Sequence, residues 1–234
     1  MTTYSEYSNV VNGTTWTAGE AIIRAGNTVA WYDSQLLSTI TKDGANLVSR
    51  WNDRLGSGRD LIQATGTNQP LWSATGITFD GIDNIMQTAA FVWNQPAFVY
   101  AVLKQITWTN GDGIWDGIGL YGLLIQQNSV SPQIRLYVGS VPNPTFNNSN
   151  LPINTFGIIR ALSNGAGSKL QINETIANTG NPGANNPGGF TLGAVGNRTG
   201  YSHIQVAEVI LRKTADTGGD EAAIYSYLST KYSI

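Results

Sequence analysis

The segment Ile204-Gln-Val-Ala-Glu-Val-Ile-Leu211 decides the fold class, because an apolar run rich in β-branched residues is typical of a buried strand. Turns rich in Gly, Asn and Pro, for example at 110–113 and 178–189, separate it from similar stretches. No alternation of strands with helices is visible, so the pattern predicts an all-β fold, an antiparallel two-sheet jelly-roll sandwich. The other strand-like stretches are Val29–Tyr32, Ile77–Phe79, Phe98–Ile106, Leu120–Gln126, Gln133–Val138, Phe156–Leu162, Lys169–Ile172 and Phe190–Val195.

One short helix is predicted at the C-terminal end of the chain. Thr217 can cap its first turn, and Lys231 suits its last turn because cations are favoured there. We expect this helix to lie across the sandwich and to bury one stripe of apolar side chains. That stripe consists of Ala223, Ile224, Tyr227 and Leu228.

The first 28 residues differ in composition from the rest of the chain. They are polar apart from Trp16 and a short apolar patch at 21–23. We therefore divide the chain into an N-terminal arm, residues 1–28, and a sandwich domain, residues 29–234. The arm is expected to pack either on a partner or on the sandwich.

The charge pattern argues against two classes of partner. The 234-residue chain has a net charge of −2 and no run of basic residues, so we expect no nucleic-acid partner. No apolar run reaches the ~20 residues of a membrane-spanning helix, so no membrane partner is expected. The opening residues lack the apolar segment of a secretory signal peptide. Cysteine is absent, which excludes disulfides and thiol chemistry.

Several segments together resemble the laminin-G-like domains of the concanavalin A-like lectin/glucanase superfamily. They are Ala30–Asp33 (AWYD), Val48–Asp53 (VSRWND), Ile77–Asp83 (ITFDGID), Val206–Ile210 (VAEVI) and Tyr225–Tyr232 (YSYLSTKY). Their order and spacing match that family from about residue 29 to the end of the chain. The resemblance implies a concanavalin A-like jelly roll that often binds Ca²⁺ and is usually non-catalytic.

The arm resembles a segment near the N-termini of bacteriophage fibre and decoration proteins. The resemblance lies in Thr15–Ile23, which reads TWTAGEAII. It implies that residues 1–28 attach the protein to other virion or particle proteins and that the protein is a homo-oligomer. It also implies a location on the virion surface or outside the cell, in agreement with the missing signal peptide.

The acidic residues do not form the catalytic motif of the laminarinase-like enzymes of the superfamily. That motif alternates acidic residues along one strand, because the acid and the nucleophile must share one face. The single histidine, His203, cannot build a usual zinc site or catalytic triad. We therefore predict no enzyme activity, while an inverting pair of carboxylates from distant loops stays open. The glutamates are Glu6, Glu20, Glu174, Glu208 and Glu221.

Glu208 is expected to be a buried polar anchor. Along its strand it shares one face with Ile204, Val206 and Ile210, and an isolated charge on an inward face is unfavourable unless it is paired. Arg160 is the partner that the sequence suggests.

The loop at 110–113 is the predicted site for a glycan. Trp108 and Trp115 flank this loop, and flat rings at a rim can stack on sugar rings. Asp112 and Tyr121 complete the predicted glycan-binding set.

The same region is the predicted calcium site. Asn110, Asp112 and Asp116 supply oxygen atoms, which are the ligands that Ca²⁺ prefers. Asp and Asn are also good turn residues, so a structural role is the alternative. No cofactor is required for the predicted function, and Ca²⁺ is the one ion that the residues suggest.

The sequence favours a non-catalytic surface-display protein, a phage decoration or fibre component with weak glycan binding. Many linked copies would make weak single sites effective. One alternative is a purely structural capsid cement protein. The other is a secreted lectin or a polysaccharide-active hydrolase.

Overall fold

The computed structural model of the protein describes residues 15–139, 146–148 and 151–234. Residues 1–14 of the predicted arm therefore lie outside the described residues. The strands are β1 (Thr28–Asp33), β2 (Ile40–Lys42), β3 (Val48–Trp51), β4 (Leu61–Ile62), β5 (Leu71–Ser73), β6 (Gly76–Asp80), β7 (Met86–Gln87), β8 (Ala97–Gln105), β9 (Gly113–Asp116), β10 (Leu124–Gln127), β11 (Ile134–Tyr137), β12 (Phe146–Asn148), β13 (Gly157–Ser163), β14 (Ser168–Ile172), β15 (Asn178–Gly180), β16 (Thr191–Leu192) and β17 (His203–Arg212). The helices are α1 (Ala18–Arg24) and α2 (Gly218–Tyr232).

The strands form two antiparallel sheets. The eight-stranded sheet has the order β15-β14-β13-β8-β17-β6-β5, and β1 pairs with β17 beside β6. The nine-stranded sheet has the order β12-β11-β10-β9-β16-β7-β4-β3-β2. This arrangement confirms the predicted two-sheet sandwich with a C-terminal helix.

The main core lies between the two sheets. Trp51, Phe79 and Trp115 are fully buried there together with Val, Ile and Leu side chains from both sheets. Burial of each such aliphatic side chain contributes about 1.5–3 kcal/mol to the hydrophobic stabilisation. The core therefore holds the facing surfaces of the two sheets together.

The two helices cover the outer face of the eight-stranded sheet. Ile224, Tyr227 and Leu228 of α2 are buried there against Trp31 and Tyr100 of the sheet, as the helical spacing predicts. Thr217 caps α2 by accepting the N–H of Asp220 at 3.2 Å. No helix among the described residues has the length and apolar character needed to cross a bilayer.

Helix α1 was not predicted from the sequence. It begins after a capping box, in which the Thr17 side chain accepts the Glu20 N–H and the Glu20 carboxylate accepts the Thr17 N–H. The Thr-x-x-Glu spacing was the available signal. Helix α1, which lies within the predicted arm, packs against α2.

Gly19 allows α1 to approach α2 closely. A Cβ at this position would lie 2.5 Å from the carbonyl oxygen of Ala223 and 2.6 Å from the Cβ of Tyr227. Gly19→Ala should therefore lower the free energy of unfolding by about 1–3 kcal/mol through overpacking, despite better helix propensity. Urea denaturation measures the change. Gly44→Ala is the control because no heavy atom lies within 4 Å of its Cβ, and equal losses in both variants would contradict the close packing.

Glu208 is the buried anchor that the sequence predicts, but its partners differ. Its carboxylate accepts hydrogen bonds from Trp31 Nε1 at 2.6 Å, Tyr227 Oη at 2.9 Å, Tyr232 Oη at 2.8 Å and Lys231 Nζ at 2.6 Å. It thereby ties α2 to the outer face of the eight-stranded sheet.

Arg160 is not the partner of Glu208. Its Nη1 donates to Glu221 at 2.9 Å instead. The β17–β8 pairing also has a register shift between Val206 and Glu208, so these two side chains lie on opposite faces of the sheet. Val206 enters the core between the sheets, whereas Glu208 lies under α2 on the other face, because one extra residue reverses the alternation.

Candidate functional site

The outer face of the nine-stranded sheet carries a row of side chains from five adjacent strands. Cross-strand pairing aligns Asp116, Thr191, Gln87, Ile62 and Arg50 in that order. Their neighbours along the strands point into the core, because alternate residues face opposite sides of a sheet. These core residues include Trp115, Leu192, Met86, Leu61 and Trp51.

A groove of about 330 Å³ opens on this face beside Gln87. Arg198 Nη2 donates to Gln87 Oε1 at 3.1 Å, and Gln87 Nε2 donates to Thr191 Oγ1 at 2.8 Å. Thr191 Oγ1 in turn donates to the carbonyl oxygen of Gly117 at 2.7 Å. This chain of hydrogen bonds fixes the orientation of the Gln87 amide. Ile62, 40% exposed, adds an apolar wall to the groove.

A second group of side chains lies on the same face, on β10 and β11. Arg135 donates from Nε and Nη2 to Gln126 Oε1 at 3.0 and 2.7 Å, and the two residues are cross-strand partners. Burial lowers the pKa of the Arg135 guanidinium. Tyr121 and Tyr137 form an edge-to-face pair with centroids 4.8 Å apart. Guanidinium, amide and phenol groups thus lie together on this part of the face.

Asp116 anchors the loops that border this face. Burial raises its pKa, while four hydrogen bonds from backbone N–H groups act in the opposite direction. One of the four donors is Gly196, two residues before Arg198, and another is Tyr121. The donors are Gly117 at 2.8 Å and Leu123 at 3.0 Å on Oδ1, with Tyr121 at 2.9 Å and Gly196 at 3.1 Å on Oδ2.

The structure separates the residues of the predicted glycan set. Trp115 is fully buried on β9, so its ring has no free face for a sugar, and this part of the prediction is wrong. Trp108 is half-buried and donates from Nε1 to the carbonyl oxygen of Gln133 at 3.0 Å. Tyr121 lies on the outer face. Asp112 lies near its edge, and burial raises the pKa of its carboxyl group.

Two residues of the predicted calcium set already accept hydrogen bonds from backbone N–H groups. Asp116 already accepts four N–H donors, and Asn110 Oδ1 accepts the N–H of Ser129 at 3.0 Å. Among the described residues, no group of three or more acidic or histidine side chains is placed to hold a metal ion. These contacts give Asp116 a structural role. Calcium binding at Asn110 and Asp112 stays a prediction.

Sequence reasoning missed Gln87, Gln126, Arg135 and Arg198. Gln87 and Thr191 pair across strands although they are 104 residues apart, and the pairing strands β7 and β16 have two residues each. Such short strands show no period-two pattern. For Arg135, the available signal was its period-two spacing from Tyr137 in β11, which places both side chains on one face.

Similarity to known proteins lies in the fold. No protein-family model matches this chain, and no curated protein matches it in sequence. A Trypanosoma rangeli sialidase in complex with sialic acid has a TM-score of 0.64 at 15% identity, over 96% of this chain and 36% of that one. An arabinofuranosidase complexed with arabinofuranosyl-α-1,2-xylobiose has a TM-score of 0.64 at 12% identity, over 90% of this chain and 64% of that one. A GH54 α-L-arabinofuranosidase soaked with a cyclic sulfate inhibitor has a TM-score of 0.63 at 13% identity, over 90% of this chain and 64% of that one.

These solved structures correct the functional prediction. The sequence favours a non-catalytic phage component, whereas the solved structures named above are those of a sialidase and of arabinofuranosidases, which are glycoside hydrolases. The predictions of a virion display protein and of no enzyme activity are thereby contradicted, and the hydrolase alternative is better supported. The error arose because one missing strand motif excludes only one arrangement of carboxylates. None of these structures supports the phage-fibre resemblance of the arm.

Proposed function

We propose that this chain is a carbohydrate-active β-sandwich of a glycoside hydrolase and that a glycan binds on the outer face of the nine-stranded sheet. The observation that carries the proposal is the contrast between the two outer faces. Helices cover one of them, while the other presents a groove lined by Gln87 and Arg198. The fold similarity to a sialidase and to arabinofuranosidases supports a sugar as the ligand.

The chemistry of the face suits a sugar. A pyranose or furanose ring presents hydroxyl groups at its edge and C–H groups on its faces, so it needs both polar and flat apolar partners. Gln87 and the two guanidinium groups supply hydrogen bonds. Ile62 and the partly exposed Tyr121 supply apolar contact.

The chain corresponds to only part of each similar structure. The chain spans 36% of the sialidase and 64% of the arabinofuranosidases that it matches. Cleavage of a glycosidic bond is thus a proposal for the whole protein, and binding on this face is the part that the present residues support. The two-sheet arrangement also supports a laminin-G-like, concanavalin A-like relationship as part of the proposal.

Gln87→Ala tests the proposed face. Its amide is held by Thr191 and Arg198, and loss of a neutral hydrogen bond should weaken glycan affinity about 3- to 10-fold. Calorimetric titration with arabinofuranosyl-xylobiose, sialyllactose and oligogalacturonides measures affinity, and sugar release from the same compounds measures hydrolysis. Gln35→Ala, at an exposed glutamine away from this sheet, is the control. The proposed function would be contradicted if no compound of this panel is bound and none is cleaved.

A further inference from the structure

The loop that carries Arg198 holds this residue in an unusual backbone conformation. Its φ is +64°, in the left-handed region that side-chain-bearing residues rarely adopt. Two backbone hydrogen bonds close the turn, from Val195 N to Thr199 O at 2.9 Å and from Arg198 N to Val195 O at 2.8 Å. Tyr201 Oη also donates to the Arg198 carbonyl at 2.8 Å. The surrounding structure thus fixes a strained residue at the groove, which is typical of functional sites.

The charge of Arg198 is not balanced by a carboxylate in the described part of the chain. The hydrogen bond of its side chain goes to a neutral amide, that of Gln87. Arg135, on the same face, likewise bonds to the amide of Gln126. Arg24 and Arg59 also form no ion pair among the described residues, but Arg24 lies over the ring of Trp16 and Arg59 donates to the carbonyl oxygen of Val29. Four other arginines form ion pairs with acidic side chains. These are Arg50 with Asp60, Arg54 with Asp33, Arg160 with Glu221 and Arg212 with Asp216.

The acidic group nearest in the cross-strand row cannot serve as the missing partner. Asp116 is fully buried, and four backbone N–H groups occupy its oxygens. Among the described residues, the guanidinium groups of Arg198 and Arg135 form no ion pair on this face, whereas Arg50 in the same row is paired with Asp60 and Asp112 lies near the edge. Such a local excess of positive charge attracts an anionic ligand.

We infer that this face selects acidic glycans and that Arg198 binds the carboxylate of a uronic or sialic acid residue. The inference rests on the proposed function and names its substrate class. The planar guanidinium forms charge-assisted, often bidentate hydrogen bonds with carboxylates. Gln87 positions the guanidinium over the groove. Ile62 offers the apolar contact for the sugar ring beside it.

The test compares matched acidic and neutral ligands. The probes are hexagalacturonate and its carboxyl-reduced form, and sialyllactose and lactose, each titrated calorimetrically at low and moderate salt. At least one acidic probe should bind about 10- to 100-fold more tightly than its neutral counterpart, because the charged hydrogen bonds are lost in the latter. Added salt should reduce the difference.

Variants assign the effect to Arg198. Arg198→Asn should abolish the preference for acid, and asparagine tolerates the left-handed backbone of the turn. Arg198→Lys should retain part of the preference through its point charge. Lys213→Gln, at an exposed cation outside this face, should change nothing. Thermal unfolding of each variant confirms that it is folded.

The outcomes separate the inference from the proposed function. Equal affinity for acidic and neutral probes, or an acid preference that survives in Arg198→Asn, would overturn the inference and leave glycan binding intact. Failure of every probe to bind would overturn the inference, and it would overturn the proposed function as well only if arabinofuranosyl-xylobiose is also neither bound nor cleaved. A preference for acid that depends on Arg198 would establish the substrate class.

Discussion

Glu208→Ala should lower the free energy of unfolding by about 3–5 kcal/mol, because removal of one partner leaves buried polar groups unpaired. The carboxylate accepts four hydrogen bonds and is fully enclosed between β17 and α2. Without it, the ring nitrogen of Trp31 and the hydroxyls of Tyr227 and Tyr232 lose their acceptor. Lys231 Nζ would then keep Asp33 at 2.8 Å and the Tyr227 hydroxyl at 3.3 Å as its partners. Chemical denaturation of the purified variant measures the loss.

Two comparisons sharpen the Glu208 prediction. Glu174→Ala removes an exposed carboxylate and should change stability by less than about 0.5 kcal/mol. Glycan affinity of folded Glu208→Ala should equal that of the unmodified protein, because the anchor lies on the sheet opposite the groove. A stable variant that loses affinity would instead place Glu208 in the binding site.

Asp116→Ala should be the most damaging change on the nine-stranded sheet. It leaves four buried N–H groups without an acceptor, and the expected loss of stability is at least about 3 kcal/mol. Two of these groups belong to Tyr121 and Gly196, so the loops beside the glycan face should loosen as well. We therefore expect weaker glycan binding in addition to a lower free energy of unfolding.

A graded series tests the anchoring role of Asp116. Asp116→Asn keeps one acceptor oxygen and should lose less stability than Asp116→Ala. Asp43→Ala is the matched control, since Asp43 also accepts two backbone N–H groups but is exposed to water, and it should lose about 1 kcal/mol or less. If Asp116→Ala were as stable as the control, the loops would not depend on this carboxylate.

The long strands and helix α2 could be predicted from the sequence because they carry clear patterns. Strands β8, β13 and β17 have seven to ten residues, and α2 has a capping residue and an apolar stripe. The short strands of the nine-stranded sheet were mostly missed, because two to four residues cannot show a period.

The limits of sequence reasoning are clearest at β9 and β10. The sequence places Trp115 beside the predicted loop at 110–113 and therefore at the surface, whereas it is a core residue of β9. The predicted strand at 120–126 begins only at Leu124, since Tyr121 has a φ of +60°. Register shifts and long-range pairings, which set the candidate site, leave no local signal in the sequence.

The central claim is that a glycan binds on the outer face of the nine-stranded sheet. Hydrogen–deuterium exchange with and without a bound oligosaccharide tests it most directly, because exchange reports local protection along the whole backbone. We predict slower exchange in β7, in the turn that carries Arg198 and in the β10–β11 hairpin, with no change in α1 and α2. Protection confined to the two helices would contradict the claim.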